Sequence, residues 1–340
     1  LTNNKEYADI AEEIFAYVLR DMTDKKGGFY SAEDADSEGE EGKFYVWTNE
    51  EIVKILGDKD GKKFIDIFGF EDQGNFHDEA TRQLTGSNIP YLKNKLSKYA
   101  KKNDLDIGKL KNTIEKNRLA LFNHREKRIH PLKDDKVLTD WNGLMIAAFA
   151  NGGKILGNDK YLSAAENAAD FILNNLRDNN GRLFKRYRLG SSGLQPHIDD
   201  YAFLIWGLLN LYEAGFKVHY LEAAVEIAEI MVSDFIDEEN GGFFIGPENG
   251  EKLIVRAKDS YDGAIPSGNA VAAMNCIRLS KFTGNMKWDE IAQKTFLAFS
   301  DGINRVPSAH SFMLTSFMFG EESPKEIVVV SKEKDSEAIS

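Results

Sequence analysis

Apolar residues in the second half of the chain follow two spacings, and the two spacings alternate. The stretches 144–149 and 203–211 are apolar on nearly all sides. Each is followed by a stretch in which apolar residues recur every three or four positions, as in Leu162, Ala165 and Ala169. The first pattern is typical of a buried helix, and the second of a helix with one face toward water. The sequence therefore predicts hairpins in which a buried helix precedes a half-buried one.

This hairpin plan occurs three times, since the apolar stretch 270–279 begins a third copy. Gly157, Gly215 and Gly284 stand between the two helices of each copy, where glycine suits a tight turn. A row of such hairpins exposes the buried helices at its ends unless the row closes on itself. We therefore predict an all-α fold, an α/α toroid like the six-hairpin glycosidase barrel, with short β-hairpins in its loops.

The first half of the chain is less regular. An amphipathic helix at 5–20 leads into an aromatic glycine turn, as the outer helices do, so its inner partner is expected before Leu1. Thr48 and Glu51 form the signature of a capping box for another helix. Further predicted elements are a strand-like run at 43–47, helices at 59–68, 88–100 and 106–127, and a last inner helix at 312–319.

These elements predict one toroid over residues 1–320 that lacks its first helix. Residues 321–340 contain a strand-like run at 327–330 and are expected to begin a C-terminal segment that is cut short.

Composition narrows the range of partners. The formal net charge of −12 disfavours nucleic acid and anionic membranes as partners and suits neutral ligands such as sugars. A single cysteine, Cys276, allows no internal disulfide, and no uncharged stretch is long enough to span a bilayer, so a cytoplasmic location is expected. No phosphate-binding glycine loop or zinc-type histidine pair occurs, so we expect no cofactor and no metal.

Candidate site residues gather where each inner helix is predicted to begin. If these helices run parallel, their starts meet at one end of the ring around a polar opening. Carboxylates there can act as acid and base, and aromatic faces can stack on sugar rings. The other interpretation is that Asp and Ser side chains cap the helix starts, and one carboxylate can do both. The residues are Asp140, Trp141, Asn142, Asp199, Asp200, Tyr201, Asp262, Ser267 and Asn269.

An acidic loop follows the first aromatic turn. Glu33, Asp34 and Asp36 are expected to point into the same opening. The loop partly matches a calcium-binding loop, but Tyr45 stands where a bidentate carboxylate is needed, which disfavours calcium. His197 and His310 both precede inner helices and are alternative proton-transfer groups, as in sugar epimerisation, or rim and capping residues.

Several motifs together resemble the YyaL-like family. They are Gly27-Gly28-Phe29-Tyr30-Ser31-Ala32-Glu33-Asp34-Ala35-Asp36-Ser37, Phe44-Tyr45-Val46-Trp47-Thr48, Asp135-Lys136-Val137-Leu138-Thr139-Asp140-Trp141-Asn142-Gly143-Leu144, Asp199-Asp200-Tyr201-Ala202 and Asp262-Gly263-Ala264-Ile265-Pro266-Ser267-Gly268-Asn269. That family joins a thioredoxin-like domain to a six-hairpin toroid and includes a spermatogenesis-associated protein of animals. The toroid in turn resembles N-acylglucosamine 2-epimerases and six-hairpin glycosidases. The resemblance implies a thioredoxin-like partner domain in the full-length protein.

Two functional hypotheses follow. In the first, the toroid binds or processes a small carbohydrate, as a glycoside hydrolase or a sugar isomerase or epimerase, with Asp140 and Asp200 as the acid and base. The other candidates would then bind the substrate. In the second, the toroid is a non-catalytic scaffold that binds clients for the fused thioredoxin-like domain. Fold resemblance by itself does not decide between them.

Overall fold

The computed structural model describes residues 2, 4–78, 81–252 and 254–322. Within these ranges the helices are α1 (Lys5–Asp21), α2 (Asn49–Leu56), α3 (Asp58–Ile67), α4 (Leu96–Lys102), α5 (Ile107–Arg125), α6 (Thr139–Leu156), α7 (Asp159–Asn175), α8 (Ile198–Gly215), α9 (Val218–Phe235), α10 (Gly268–Thr283), α11 (Lys287–Arg305) and α12 (Ser311–Glu321). The strands are β1 (Ala32–Glu33), β2 (Asp36–Ser37), β3 (Glu40–Glu41), β4 (Lys133–Asp134), β5 (Val137–Leu138), β6 (Arg186–Arg188) and β7 (Ser191–Gly193). The predicted all-α class with short β-hairpins is confirmed.

The chain divides into two compact units. Residues Ala32–Asp134 form one of them, here called the insert unit, and the residues on either side of it form the hairpin unit. In the hairpin unit α6–α7, α8–α9 and α10–α11 are the three predicted hairpins. The inner helices α6, α8, α10 and α12 pack side by side in that order, and α7, α9 and α11 each pack on the inner helix before them. Closure of this row into a ring stays a prediction.

Two glycines let the inner helices α6 and α8 approach closely. A Cβ atom at Gly143 would lie 2.3 Å from the carbonyl carbon of Phe203, and one at Gly207 would lie 2.7 Å from the oxygen of Gly143. Contacts this short involve backbone atoms, which cannot rotate away. The α6–α8 contact is therefore one of backbone against backbone, and it requires glycine at both positions.

The turns between inner and outer helices agree with the predicted glycines at two places. Gly157 and Gly284 adopt the left-handed conformation that ends α6 and α10, with φ of 63° and 69°. In the middle hairpin Gly215 still belongs to α8, and Phe216 takes the left-handed position with φ of 52°. A bulky residue adopts this left-handed conformation at some energetic cost, which glycine would avoid.

In the insert unit, the predicted capping box is confirmed, because Thr48 and Glu51 exchange side-chain and backbone hydrogen bonds at the start of α2. The strand predicted at 43–47 was wrong. Its carbonyl groups are taken by a side chain instead of a second strand: Arg128 donates to the oxygens of Phe44 and Val46, at 2.9 and 2.8 Å.

The helix predicted at 88–100 was also wrong over most of its length. Only α4, which begins at Leu96, is helical there. Asn88 pairs with Trp47 in extended backbone, and Pro90 disfavours a helical conformation at Ile89. Helices α3 and α5 agree with the predictions at 59–68 and 106–127 within two residues.

At the carboxyl end, the predicted last inner helix is confirmed as α12. The strand-like run at 327–330 lies outside the described residues. Among the helices that are described, none combines the length and apolar character needed to cross a membrane.

The close contact at Gly143 is tested by Gly143→Ala. Although alanine favours a helix intrinsically by about 1 kcal/mol, the added methyl group meets backbone, so the free energy of unfolding should fall by about 1–3 kcal/mol. Urea unfolding followed by circular dichroism measures this change. Gly246→Ala is the control, because its methyl group would meet nothing within 4 Å. Equal stability of both variants would contradict the backbone-to-backbone contact.

Candidate functional site

Two asparagines bind aromatic turns to the starts of inner helices. The Asn142 side chain accepts from the amide of Phe29 at 2.8 Å and donates to its carbonyl at 3.0 Å. Asn269 makes the same pair of bonds with Phe243, at 2.7 and 2.9 Å. Each asparagine also donates to a second carbonyl, so both amide hydrogens are used. These contacts assign Asn142 and Asn269 to bracing the fold, and we leave them out of the proposed ligand-binding set.

Tyr201 holds the same place in the middle hairpin. Its hydroxyl oxygen accepts a hydrogen bond from the amide of Leu183 at 3.0 Å, in the turn that follows α7. Burial raises the pKa of Tyr201 to about 12, so the hydroxyl stays neutral. Tyr201 is therefore a third brace and is also left out of the ligand-binding set. Each brace joins residues far apart in the sequence, which is why motif reasoning missed it.

The carboxylate of Asp200 joins the starts of α6 and α8. One oxygen accepts from the backbone amide of Asp140 at 3.2 Å, and the other accepts from the amide of His197 at 2.8 Å. Asp140 and Asp200, which sequence reasoning proposed as a pair, are thus brought together. Asp200 is fully buried, so it cannot contact a ligand directly in this conformation.

Two further aspartates continue this pattern along the row. Asp199 accepts a hydrogen bond from the backbone of Gly268 at the start of α10. Asp262 accepts from the amides of Ser267 and Phe312 at 2.8 and 2.7 Å, which joins the starts of α10 and α12. The inner helices are therefore parallel, with their starts together. The contacts of Asp262 are capping contacts, which was the alternative interpretation of these residues.

Ser267 also has a capping role. Its hydroxyl oxygen accepts from the amide of Ala270 at 3.2 Å, which is the usual N-cap contact. Both Ser267 and Asp262 thus have their polar atoms committed to helix starts. We keep them as structural residues of the opening and do not assign them ligand contacts.

A lysine that sequence reasoning missed lies between the paired aspartates. The Lys185 Nζ atom lies 2.9 Å from Asp140 Oδ2 and 3.5 Å from Asp200 Oδ2. Lys185 comes from the extended segment before β6, far from both helix starts in the sequence. No local pattern around a single lysine could have indicated this contact.

The cluster changes the protonation of its members. Burial and the charge of Asp140 raise the pKa of Asp200 to about 7, against the opposing effect of Lys185. Burial lowers the pKa of Lys185, but the charges of Asp200 and Asp140 outweigh it and raise the pKa overall. Burial and the charge of Lys185 lower the pKa of His197, and burial raises that of Asp199. A neutral Asp200 can therefore hold a proton near pH 7 beside a charged lysine.

The residues of this cluster differ in their exposure to solvent. Trp141 is 45% exposed, its chain neighbour Asp140 is 6% exposed, and Asp200 is fully buried. His197 at the start of α8 is exposed. The arrangement offers an aromatic face, a carboxylate and a proton held one layer deeper, which suits binding of hydroxyl-rich ligands.

The remaining candidates are placed as follows. Glu33 and Asp34 belong to the insert unit, where Glu33 accepts from the Tyr45 hydroxyl at 3.0 Å and Asp34 from the amide of Asp36 at 3.1 Å. Their expected position in the opening stays a prediction. His310 is buried, with Nδ1 2.7 Å from the carbonyl oxygen of Ser260, and its side chain makes no capping hydrogen bond at the start of α12.

The hairpin unit thus defines an all-α protein of helical hairpins with an acidic, lysine-containing cluster where its inner helices begin. The chain is homologous to spermatogenesis-associated protein 20, which confirms the predicted family resemblance. It is 33% identical to the human protein over the whole of this chain and 47% of the relative. It is also 33% identical to the uncharacterised Caenorhabditis elegans protein B0495.5, over 88% of this chain and 44% of that protein.

The chain spans about half the length of the curated relatives that it matches. No protein-family model matches it. Similar solved structures include the GH76 alpha-mannanase of Bacteroides thetaiotaomicron, with 17% identity, a TM-score of 0.45, and coverage of 56% of this chain and 54% of that one. Another is the GH76A alpha-1,6-mannanase of Salegentibacter, with 14% identity, a TM-score of 0.40, and coverage of 86% and 70%. Likeness at this level gives no basis for transferring an activity.

The raised pKa of Asp200 has a consequence for stability. In the unfolded chain Asp200 loses its proton near the ordinary pKa of 3.8, whereas in the folded chain it keeps the proton up to about pH 7. The contribution of Asp200 to the free energy of unfolding therefore decreases as pH rises from about 4 toward 7. Asp200→Asn removes that dependence. Between pH 5 and 8, the free energy of unfolding of the variant should rise relative to the unsubstituted chain by on the order of 2 kcal/mol.

Chemical denaturation at each pH measures this difference. The comparison is made between pH values, so the loss of one acceptor in the amide cancels. Asp301→Asn, which removes an exposed carboxylate, is the control for charge. Parallel stability curves for the unsubstituted chain and Asp200→Asn would show that Asp200 is not protonated in the folded state.

Proposed function

We propose that the starts of the inner helices form a binding site for a neutral carbohydrate, and that the site processes this ligand. The observation that carries the proposal is the cluster in which exposed Trp141 follows Asp140 in the chain, and Lys185 bonds both Asp140 and the buried Asp200. An exposed indole gives a sugar ring a flat apolar face, and a carboxylate held by a lysine accepts hydroxyl hydrogen bonds. The acidic chain favours a neutral ligand over an anionic one.

In this proposal Asp140 is the group that contacts the ligand. Asp199, which is partly exposed, supplies a second acceptor. Asp200 is a positioning residue: it holds the backbone of Asp140 and shares Lys185 with it. This replaces the simpler hypothesis in which Asp140 and Asp200 both touch the substrate.

The processing step follows from the charges of the cluster. A carboxylate near a protonated neighbour can donate or accept a proton, which both glycoside hydrolysis and sugar isomerisation need. Oxygens of Asp140 and Asp200 bond to one nitrogen, so they lie closer than the roughly 6.5–9.5 Å that leaves room for water in inverting hydrolysis. Because Asp200 is also fully buried, we assign the acid or base role to Asp140 alone.

The competing hypothesis is a non-catalytic module that binds clients for a fused thioredoxin-like domain. The complete burial of Asp200 is compatible with it, and the greater length of the relatives leaves room for such a domain. It predicts ligand binding without turnover. A cytoplasmic location is part of both proposals.

Binding is tested by thermal shift with a panel of neutral mono- and oligosaccharides. A sugar that raises the melting temperature should bind about tenfold more weakly to Trp141→Ala, because stacking on the indole is lost. Tyr7→Ala is the control, since Tyr7 is an exposed aromatic on α1 and not at the inner-helix starts. No shift with any sugar, or equal affinity of both variants, would overturn the binding site.

Turnover is tested separately on the sugars that bind. Release of reducing ends or formation of an epimer should fall by at least a hundredfold in Asp140→Asn while binding is largely kept. Binding without any product from the unsubstituted chain would instead favour the non-catalytic module.

A further inference from the structure

Positive charge in the insert unit is concentrated in one part of its sequence. Residues 91–128 contain twelve lysines and arginines against four aspartates and glutamates, a net charge of +8, whereas the rest of the chain carries −20. The net charge of −12, which disfavours anionic partners for the chain as a whole, therefore hides a basic segment. Most of this segment is folded into α4 and α5.

The eight lysines between residues 93 and 116 are not neutralised by the segment itself. All eight are exposed, and within the described residues none of them forms an ion pair with a carboxylate. Three of the four acidic residues of the segment are committed elsewhere: one caps the start of α5, and two pair with arginines. Like charges this close together repel one another, so an anion bound among them would be stabilised.

A cavity of about 310 Å³ lies between the end of α3 and α4, and lysines line it from two segments. Lys93 comes from the loop before α4, and Lys98 and Lys102 come from the helix itself. The two helical lysines are one turn apart, so their ammonium groups can reach the same ligand. Asn94 adds an amide group to the lining, and Ile67 adds an apolar wall.

One carboxylate, that of Asp66, also lines this cavity. Its Oδ2 atom accepts a hydrogen bond from the hydroxyl group of Tyr99 at 2.9 Å. Three ammonium groups against one carboxylate leave the cavity with an excess of two positive charges. A phosphate monoester, whose charge near neutral pH is about −1.5 to −2, matches this excess, whereas a single carboxylate matches only half of it.

We propose that this cavity binds the phosphate group of a small phosphate monoester. Lys93, Lys98 and Lys102 hold the phosphate oxygens, and lysine suits this role because its ammonium group is a compact charge with three donors. The volume lies near the lower end of the range for ligand pockets, so it admits a phosphate with a small organic group. The ligand is a free phosphate ester or the headgroup of a lipid. The site lies within the insert unit and is independent of the carbohydrate proposal.

Calorimetric titration with glycerol 3-phosphate tests the site, and glycerol is the uncharged probe that should not bind. The double variant Lys98→Ala/Lys102→Ala should bind glycerol 3-phosphate about tenfold more weakly, because two of the three ammonium groups are lost. The matched control is Lys111→Ala/Lys116→Ala, which removes the same charge from exposed lysines of α5 that do not line the cavity. Its affinity should change by less than about twofold, because salt screens charges outside the cavity.

Vesicles of phosphatidylcholine with and without phosphatidic acid distinguish the two sources of the phosphate. Binding of free glycerol 3-phosphate supports a soluble ester, and binding only to the vesicles with phosphatidic acid supports a lipid headgroup. In either case the loss should be confined to Lys98→Ala/Lys102→Ala. Equal losses in the two double variants would overturn the proposal, because general charge attraction would then account for the binding. So would the absence of binding to both phosphate probes.

Discussion

Hydrogen bonds donated by helix-start amides to aspartate carboxylates are the interactions on which the hairpin unit depends. The first amides of every helix lack partners, and each helix start carries partial positive charge. Four parallel inner helices bring four such starts together, which would be unfavourable without hydrogen-bond acceptors between them. Asp200, Asp199 and Asp262 each bridge two neighbouring helices and supply those acceptors. The same contacts set the relative positions of the helices along the row.

These bridging aspartates concentrate acidic groups at one end of the hairpin unit. Burying a carboxylate is unfavourable, and burying two beside each other is more so. Lys185 offsets part of that cost by bonding both Asp140 and Asp200, and Asp200 relieves the rest by holding a proton. A cluster formed for structural reasons thereby gains the properties of an acid–base site. In the proposed function, exposed Trp141 next to Asp140 supplies the surface on which the ligand binds.

Backbone contacts maintain this arrangement. Gly143 and Gly207 allow α6 and α8 to touch, and Asn142 and Asn269 tie the preceding turns to the helix starts. The two asparagines occur in the same motifs as the acidic residues, which is why sequence reasoning placed them in the site. The structure separates two roles within one motif: the asparagines and Tyr201 brace the fold, while Trp141 is exposed and Asp140 bonds Lys185.

The sequence by itself determined the helix types, their order and the grouping of polar residues at inner-helix starts. It could do so because helical periodicity and N-cap preferences are local. The predictions at 43–47 and 88–100 were wrong. Arg128 donates to a backbone carbonyl of the first stretch, and Asn88 of the second stretch pairs with Trp47 of the first. The tertiary structure alone decided that Lys185 joins Asp140 to Asp200 and that Asp200 is buried. Both features depend on contacts between different segments of the chain. Such contacts do not change the local periodicity of the sequence, so they cannot be predicted from it.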